Sequence, residues 1–115
     1  KRGSKNNSAY VATKFAMNGL TQSLAKELGV KQIRVNAVCP VLIKTNGLIN
    51  ALEKKDSPAS NNVNKFFDDF TKTQSALNRL PNNNEVAEMV IFLASEKASA
   101  ITGQCINVDC GVLPQ

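Results

Sequence analysis

The sequence predicts an α/β domain with a parallel sheet, laid out as helix, strand, lid, helix, strand. Three observations predict it. Apolar residues recur at helical spacing from Ser8 to about Leu28, and a β-branched run, Ile33–Cys39, follows at once. A second helix and strand then close the chain between Glu85 and Val108. A helix running this closely into a buried strand is half of a βαβ unit, so the strand before it is expected upstream of the chain.

Residues 1–7 are basic and polar and read as a loop. Ser8 suits the N-cap of the first helix. Along that helix Ala12, Phe15, Ala16, Leu20, Leu24 and Leu28 recur every three or four residues, the amphipathic pattern. Small residues Ala9, Ala12, Ala16 and Gly19 leave room for another backbone, and Gly29 reads as the C-cap. Ile33–Cys39 ends at Pro40 and reads as a largely buried strand. From Leu42 to about Pro58 the pattern dissolves into Asn, Lys, Asp and Ser. Asn61–Asn64 and then Phe66, Phe67, Phe70 and Leu77 suggest a short helix with an aromatic face. Such an insertion after a strand's carboxyl end is either a ligand-covering lid or an ordinary surface excursion. Its aromatics are either an apolar cover for substrate or the lid's own core. Pro81 and Asn82–Asn84 form a turn able to cap the helix Glu85–Glu96, whose apolar side carries Val86, Met89, Val90 and Leu93. Thr102-Gly103 is a break, and Gln104–Val108 is the second strand.

Composition narrows the function. At 115 residues the chain is at most one small domain. Its opening run, KRGSKNNS, has no apolar stretch and reads as neither signal nor transit peptide; a chain opening on Lys1 just before its most informative helix reads as a piece of a longer one. No segment reaches the roughly 18 apolar residues of a membrane span. The net charge of +5 is scattered rather than striped, with one Tyr and no Trp, which argues against nucleic-acid binding. Cys39, Cys105 and Cys110 are an odd set without a CxxC pair, as in a reduced cytoplasmic protein. With no His, a zinc site is not expected.

Tyr10 and Lys14 stand four residues apart, on one helical face and about one turn from each other. A free phenol is almost wholly protonated at neutral pH, and a fixed positive charge nearby favours phenolate. A phenol beside an ammonium can therefore pass a proton to or from a substrate oxygen. The alternative is a helix with one half-buried Tyr and one solvated Lys.

Further motifs in order decide between these. Tyr10-x-x-x-Lys14 and the following NGLTQSLAKELG, then IRVNAVCP at 33–40, then PVLIKT at 40–45, and finally ITGQ at 101–104 with VDCG at 108–111, together resemble the C-terminal half of the short-chain dehydrogenase/reductase family. The resemblance covers nearly the whole chain. It implies the C-terminal portion of a Rossmann-like, doubly wound parallel sheet, with residues 1–115 a partial NAD(P)-binding domain and 46–75 a substrate-binding loop. It implies an oxidoreductase that interconverts a carbonyl and a secondary alcohol with NAD or NADP. Tyr10 would be the general acid/base, and Lys14 would hold the nicotinamide ribose hydroxyls. Pro40, Val41 and Ile43 would line the nicotinamide side by backbone contact, and Thr45 would hydrogen-bond near the carboxamide or diphosphate. Pro40 could equally just stop the strand, and Thr45 just cap a helix.

In this family the Gly-rich diphosphate loop, the catalytic Ser and Asn and the residue choosing NAD from NADP all lie upstream of these motifs. The isolated polypeptide is therefore expected to be inactive. Its parent would be a cytoplasmic homo-dimer or homo-tetramer acting on a small-molecule carbonyl or alcohol, with no nucleic-acid or membrane partner. The contrasting function is a non-catalytic scaffold or oligomerisation piece of the same fold. Two departures stand out: Val41 replaces the Gly of PGxxxT, giving up freedom at positive φ, and Cys110 replaces the first Gly of VDGG.

Overall fold

A computed structural model describes residues 1–60 and 62–114; Asn61 of the expected Asn61–Asn64 segment and Gln115 lie outside the described residues. The elements run α1 (Ser8–Gly29), β1 (Ala37–Pro40), α2 (Asn46–Leu52), α3 (Val63–Gln74), α4 (Asn83–Ala94), a 3-10 turn (Glu96–Ala98) and β2 (Cys105–Val108). β1 and β2 form a two-stranded sheet, and partners on both strands rise together along the chain, the parallel sense. The chain divides into two compact units: Lys1–Cys39 with Glu88–Ile106, and Pro40–Ala87 with Asn107–Gln115.

In the first unit, α1 turns Thr21 and Ala25 fully inward, with Val11, Asn18, Leu24 and Leu28 half-buried along the same side. Its ends differ from expectation by local hydrogen bonding. Asn7, not Ser8, holds the N-cap position, and no side chain caps it. At the other end the helix runs through Gly29, and Gln32 takes the left-handed conformation at φ 59°. Ile33 N–H reaches Leu28 O and Gln32 N–H reaches Gly29 O, the paired bonds of a Schellman motif.

The expected strand Ile33–Cys39 contracts to Ala37–Pro40 because side chains take over the pairing before it. Val35 N–H donates to Thr102 Oγ1, and Asn36 bridges Ile101 O and Gln104 N–H at 2.9 and 3.0 Å. Both strands are half-buried rather than largely buried, each having one neighbour among the described residues. Arg34 donates to the carbonyls of Leu93 and Ser95, placing a cation on the carbonyl end of α4, and to that of Ile101 beyond it. Gly103, at φ +73°, faces Ala25 closely enough that a Cβ would stand 3.4 Å from the Ala25 methyl.

The second unit holds a core of Leu52, Ala59 and Phe67, with Leu42, Leu48, Ile49, Val63, Phe66 and Leu80 packed against it. α2 is a helix that the patternless stretch after Leu42 did not announce. Seven residues suffice because Thr45 caps it and Leu48 and Leu52 face the core. In α3, Val63, Phe66, Phe67 and Phe70 recur at helical spacing, while Lys65 and Asp69 pair on the solvent side. Leu77 is not part of that face: Ser75 ends the helix in extended conformation and Leu77 lies 59% exposed.

Candidate active site

Tyr10 and Lys14 occupy the first two turns of α1. Tyr10 is 56% exposed, and the Lys14 ammonium lies over its ring, 5.3 Å from the centroid. The two groups therefore share a face, as their spacing predicts. This cation–π contact holds an ammonium against a phenol whose edge remains open to a substrate. Thr13, on the same turn, uses its hydroxyl on the Tyr10 carbonyl at 2.7 Å. Lys14 also reaches electrostatically to the end of β1. Burial pushes the Cys39 thiol up, and the charges of Lys1 and Lys14 oppose that push. Lys1 itself donates to the Cys105 carbonyl on β2.

Pro40, Val41, Ile43 and Thr45 belong to the second unit. Pro40 is exposed and Val41 and Ile43 are half-buried. The Thr45 hydroxyl oxygen accepts from Leu48 N–H at 3.2 Å, so Thr45 does cap a helix; its own O–H proton remains to donate elsewhere. Val41 is not among the residues at positive φ, so replacing Gly there costs no backbone strain. Phe67, 2% exposed, fills the core of the second unit, with Phe66 edge-on to it at 5.7 Å. The aromatics thus resolve to packing rather than an open cover.

The pairing of Arg79 with Glu85 was not singled out in advance. Arg79 clasps Glu85 with two bonds of 2.9 and 2.7 Å. The guanidinium, helped by Asn82 N–H, holds the Glu85 carboxyl down at about 2. Asn82 Oδ1 in turn accepts from Glu85 N–H, completing a capping box on α4. The Asn82-x-x-Glu85 spacing was the signal. Cys110 sits at φ 54° and Gly111 at φ 78°, and a Cβ on Gly111 would stand 2.6 Å from that of Ala76. The backbone at Cys110 therefore asks for the glycine that VDGG supplies. Burial pushes the Cys110 thiol up, against the pull of Arg79. Asp109 closes the turn by accepting from Gly111 and Leu113 N–H.

A family model described as "Enoyl-(Acyl carrier protein) reductase" matches residues 1–113. The chain belongs to the short-chain dehydrogenase/reductase family. Its partial Rossmann-type fold agrees with solved members. A short-chain dehydrogenase family protein from Francisella tularensis superposes with a TM-score of 0.87 at 35% identity, covering 98% of this chain and 46% of that one. A 3alpha-hydroxysteroid dehydrogenase of Mediterraneibacter gnavus is 36% identical over 107 residues, which are 93% of this chain and 38% of the relative. A 4-hydroxyisoleucine dehydrogenase complexed with NADH gives a TM-score of 0.70 at 28% identity, covering 92% of this chain and 38% of that one. The chain thus spans less than half the length of these short-chain dehydrogenase/reductase relatives.

Proposed function

We propose that the full-length protein is an NAD(P)-dependent oxidoreductase that interconverts a carbonyl and a secondary alcohol by hydride transfer. The observation that carries this reading is the exposed phenol and ammonium of Tyr10 and Lys14, side by side on one face of α1. Family membership and a structural neighbour holding NADH support it.

A hydroxyl and an ammonium placed together are a donor set that fits a ribose diol. Lys14 would hold that diol, with the backbone of Pro40, Val41 and Ile43 and the spare O–H of Thr45 as further cofactor contacts. The nicotinamide, when bound, supplies or accepts the hydride. Tyr10 gives its phenolic proton to the carbonyl oxygen in reduction and takes it back in oxidation.

In this reading residues 1–115 are part of an NAD(P)-binding domain, and 46–75 are its substrate loop. Activity belongs to the whole protein, a cytoplasmic homo-oligomer working on a small molecule. Half-exposed Phe15, Met17 and Leu20 on α1 suit an interface, and no helix among the described residues is long and apolar enough to cross a membrane. The test is the full-length protein with NADH or NADPH and a panel of carbonyl compounds. Replacing Lys14 by Ala should weaken nicotinamide binding and slow turnover together; an unchanged dissociation constant and rate would remove Lys14 from the site.

A further inference from the structure

The two strands bring together a pair of thiols that the proposed hydride transfer does not use. Ala37 N–H donates to Gln104 O at 2.8 Å, and in a parallel ladder that bond sets Ala37 opposite Cys105. Side chains alternate along a strand, so Cys39, two residues beyond Ala37, points to the same face of the sheet as Cys105. Both are free thiols, both are half-buried, and both belong to the first unit. Burial pushes the Cys39 thiol up; the charge of Lys1 opposes that push, and the Cys105 thiol adds to it, as close sulfurs do. Lys1 also donates to the Cys105 carbonyl, which keeps a cation beside the pair. Among the described residues no further Cys, His, Asp or Glu joins them in a metal cluster.

The spacing selects what the pair can hold. Diagonal neighbours on adjacent strands stand about 7–8 Å apart. A disulfide needs Cα atoms about 4.4–6.8 Å apart, so direct bonding of the two sulfurs falls outside that range. Side chains turned toward each other leave a gap that one soft ion bridges, and thiolate ligands without others select Cu(I). We propose that Cys39 and Cys105 bind one Cu(I) ion between them, as a two-coordinate site on one face of the β1–β2 sheet. Each thiol gives up its proton to solvent as the ion enters, with no change of oxidation state. Two thiolates and one Cu(I) carry a single negative charge, which the nearby charges of Lys1 and Lys14 offset. The assignment rests on strand register and is independent of the oxidoreductase reading.

The test titrates the full-length protein with Cu(I) under argon, against a chromogenic chelator that competes for the ion. Cys39→Ser and Cys105→Ser should each weaken the tight binding at least about 100-fold, the loss expected when one of two linked donors is removed. Cys110→Ser, in the second unit, should leave that affinity unchanged. Alkylation of the unaltered protein, read by peptide mass, asks the same question without a substitution. Cu(I) should protect Cys39 and Cys105 together and leave the reactivity of Cys110 as it was. Undiminished affinity in either Cys39→Ser or Cys105→Ser, protection of one of the two thiols without the other, or a Cys39–Cys105 disulfide formed under mild oxidation would overturn the assignment.

Discussion

The helix that carries Tyr10 and Lys14 and the segment of α2 and α3 that follows β1 are built on opposite plans. α1 runs for 22 residues and fully buries Thr21 and Ala25, while Tyr10, Phe15, Met17 and Leu20 stand about half exposed. That segment is shorter in every element, yet it encloses Phe67 and assembles a core of its own. The proposed chemistry therefore rests where packing is sparse, and the packing rests where no acid–base group is proposed. Substitutions should separate the same way: changes in the core around Phe67 move stability, and changes at Tyr10 and Lys14 move rate and cofactor affinity.

The largest expected effect on stability is Phe67→Ala. Emptying a fully buried aromatic position should cost about 3–5 kcal/mol of unfolding free energy. Denaturant unfolding of the full-length protein checks it, and a loss below about 1 kcal/mol would mean the segment does not depend on this core. Next is the turn after β2. Gly111→Ala adds a methyl group where Ala76 already stands and keeps a left-handed φ, and should cost roughly 1–3 kcal/mol. Cys110→Gly at the neighbouring left-handed position should instead gain up to about 1 kcal/mol. A melting temperature that falls in the first and rises in the second confirms the turn; the same sign in both would contradict it.

The smallest effect is on pH dependence. The folded Glu85 carboxyl lies near 2, below its ordinary value, so its contribution is fully present above the unfolded pKa and is lost as pH falls toward about 2. Glu85→Gln should flatten that acid limb of stability without changing the plateau's shape near neutrality. The pair is solvent-exposed, so the change is small.

What was legible in the sequence follows from how each feature is encoded. α1, α3, α4 and the two strands were legible as elements and the family motifs stand in order, but Ala12, Phe15, Ala16 and Leu20 of the expected apolar side of α1 are exposed while Thr21 and Ala25 turn inward. Both ends of α1 and the start of the first strand were not legible. Asn36 and Thr102 pair through side chains, which no periodicity displays, so the first strand looked longer than it is. α2 escaped notice because a capped helix of seven residues with few inward positions leaves almost no pattern. The Phe cluster was ambiguous between cover and core, since apolarity says nothing about which side is filled. The motif marked Cys110 as standing in place of a glycine, and the dihedral angle showed that the backbone there is left-handed.

The pairing of phenol and ammonium on α1 is tested most directly by Tyr10→Phe in the full-length protein, measuring turnover with a nicotinamide cofactor beside cofactor affinity and thermal stability. The substitution keeps the ring under Lys14 and removes only the hydroxyl. The account predicts a fall in turnover of at least about 100-fold, with cofactor binding and melting temperature close to those of the unaltered protein. Turnover near the unaltered rate would contradict it and assign the proton to another group.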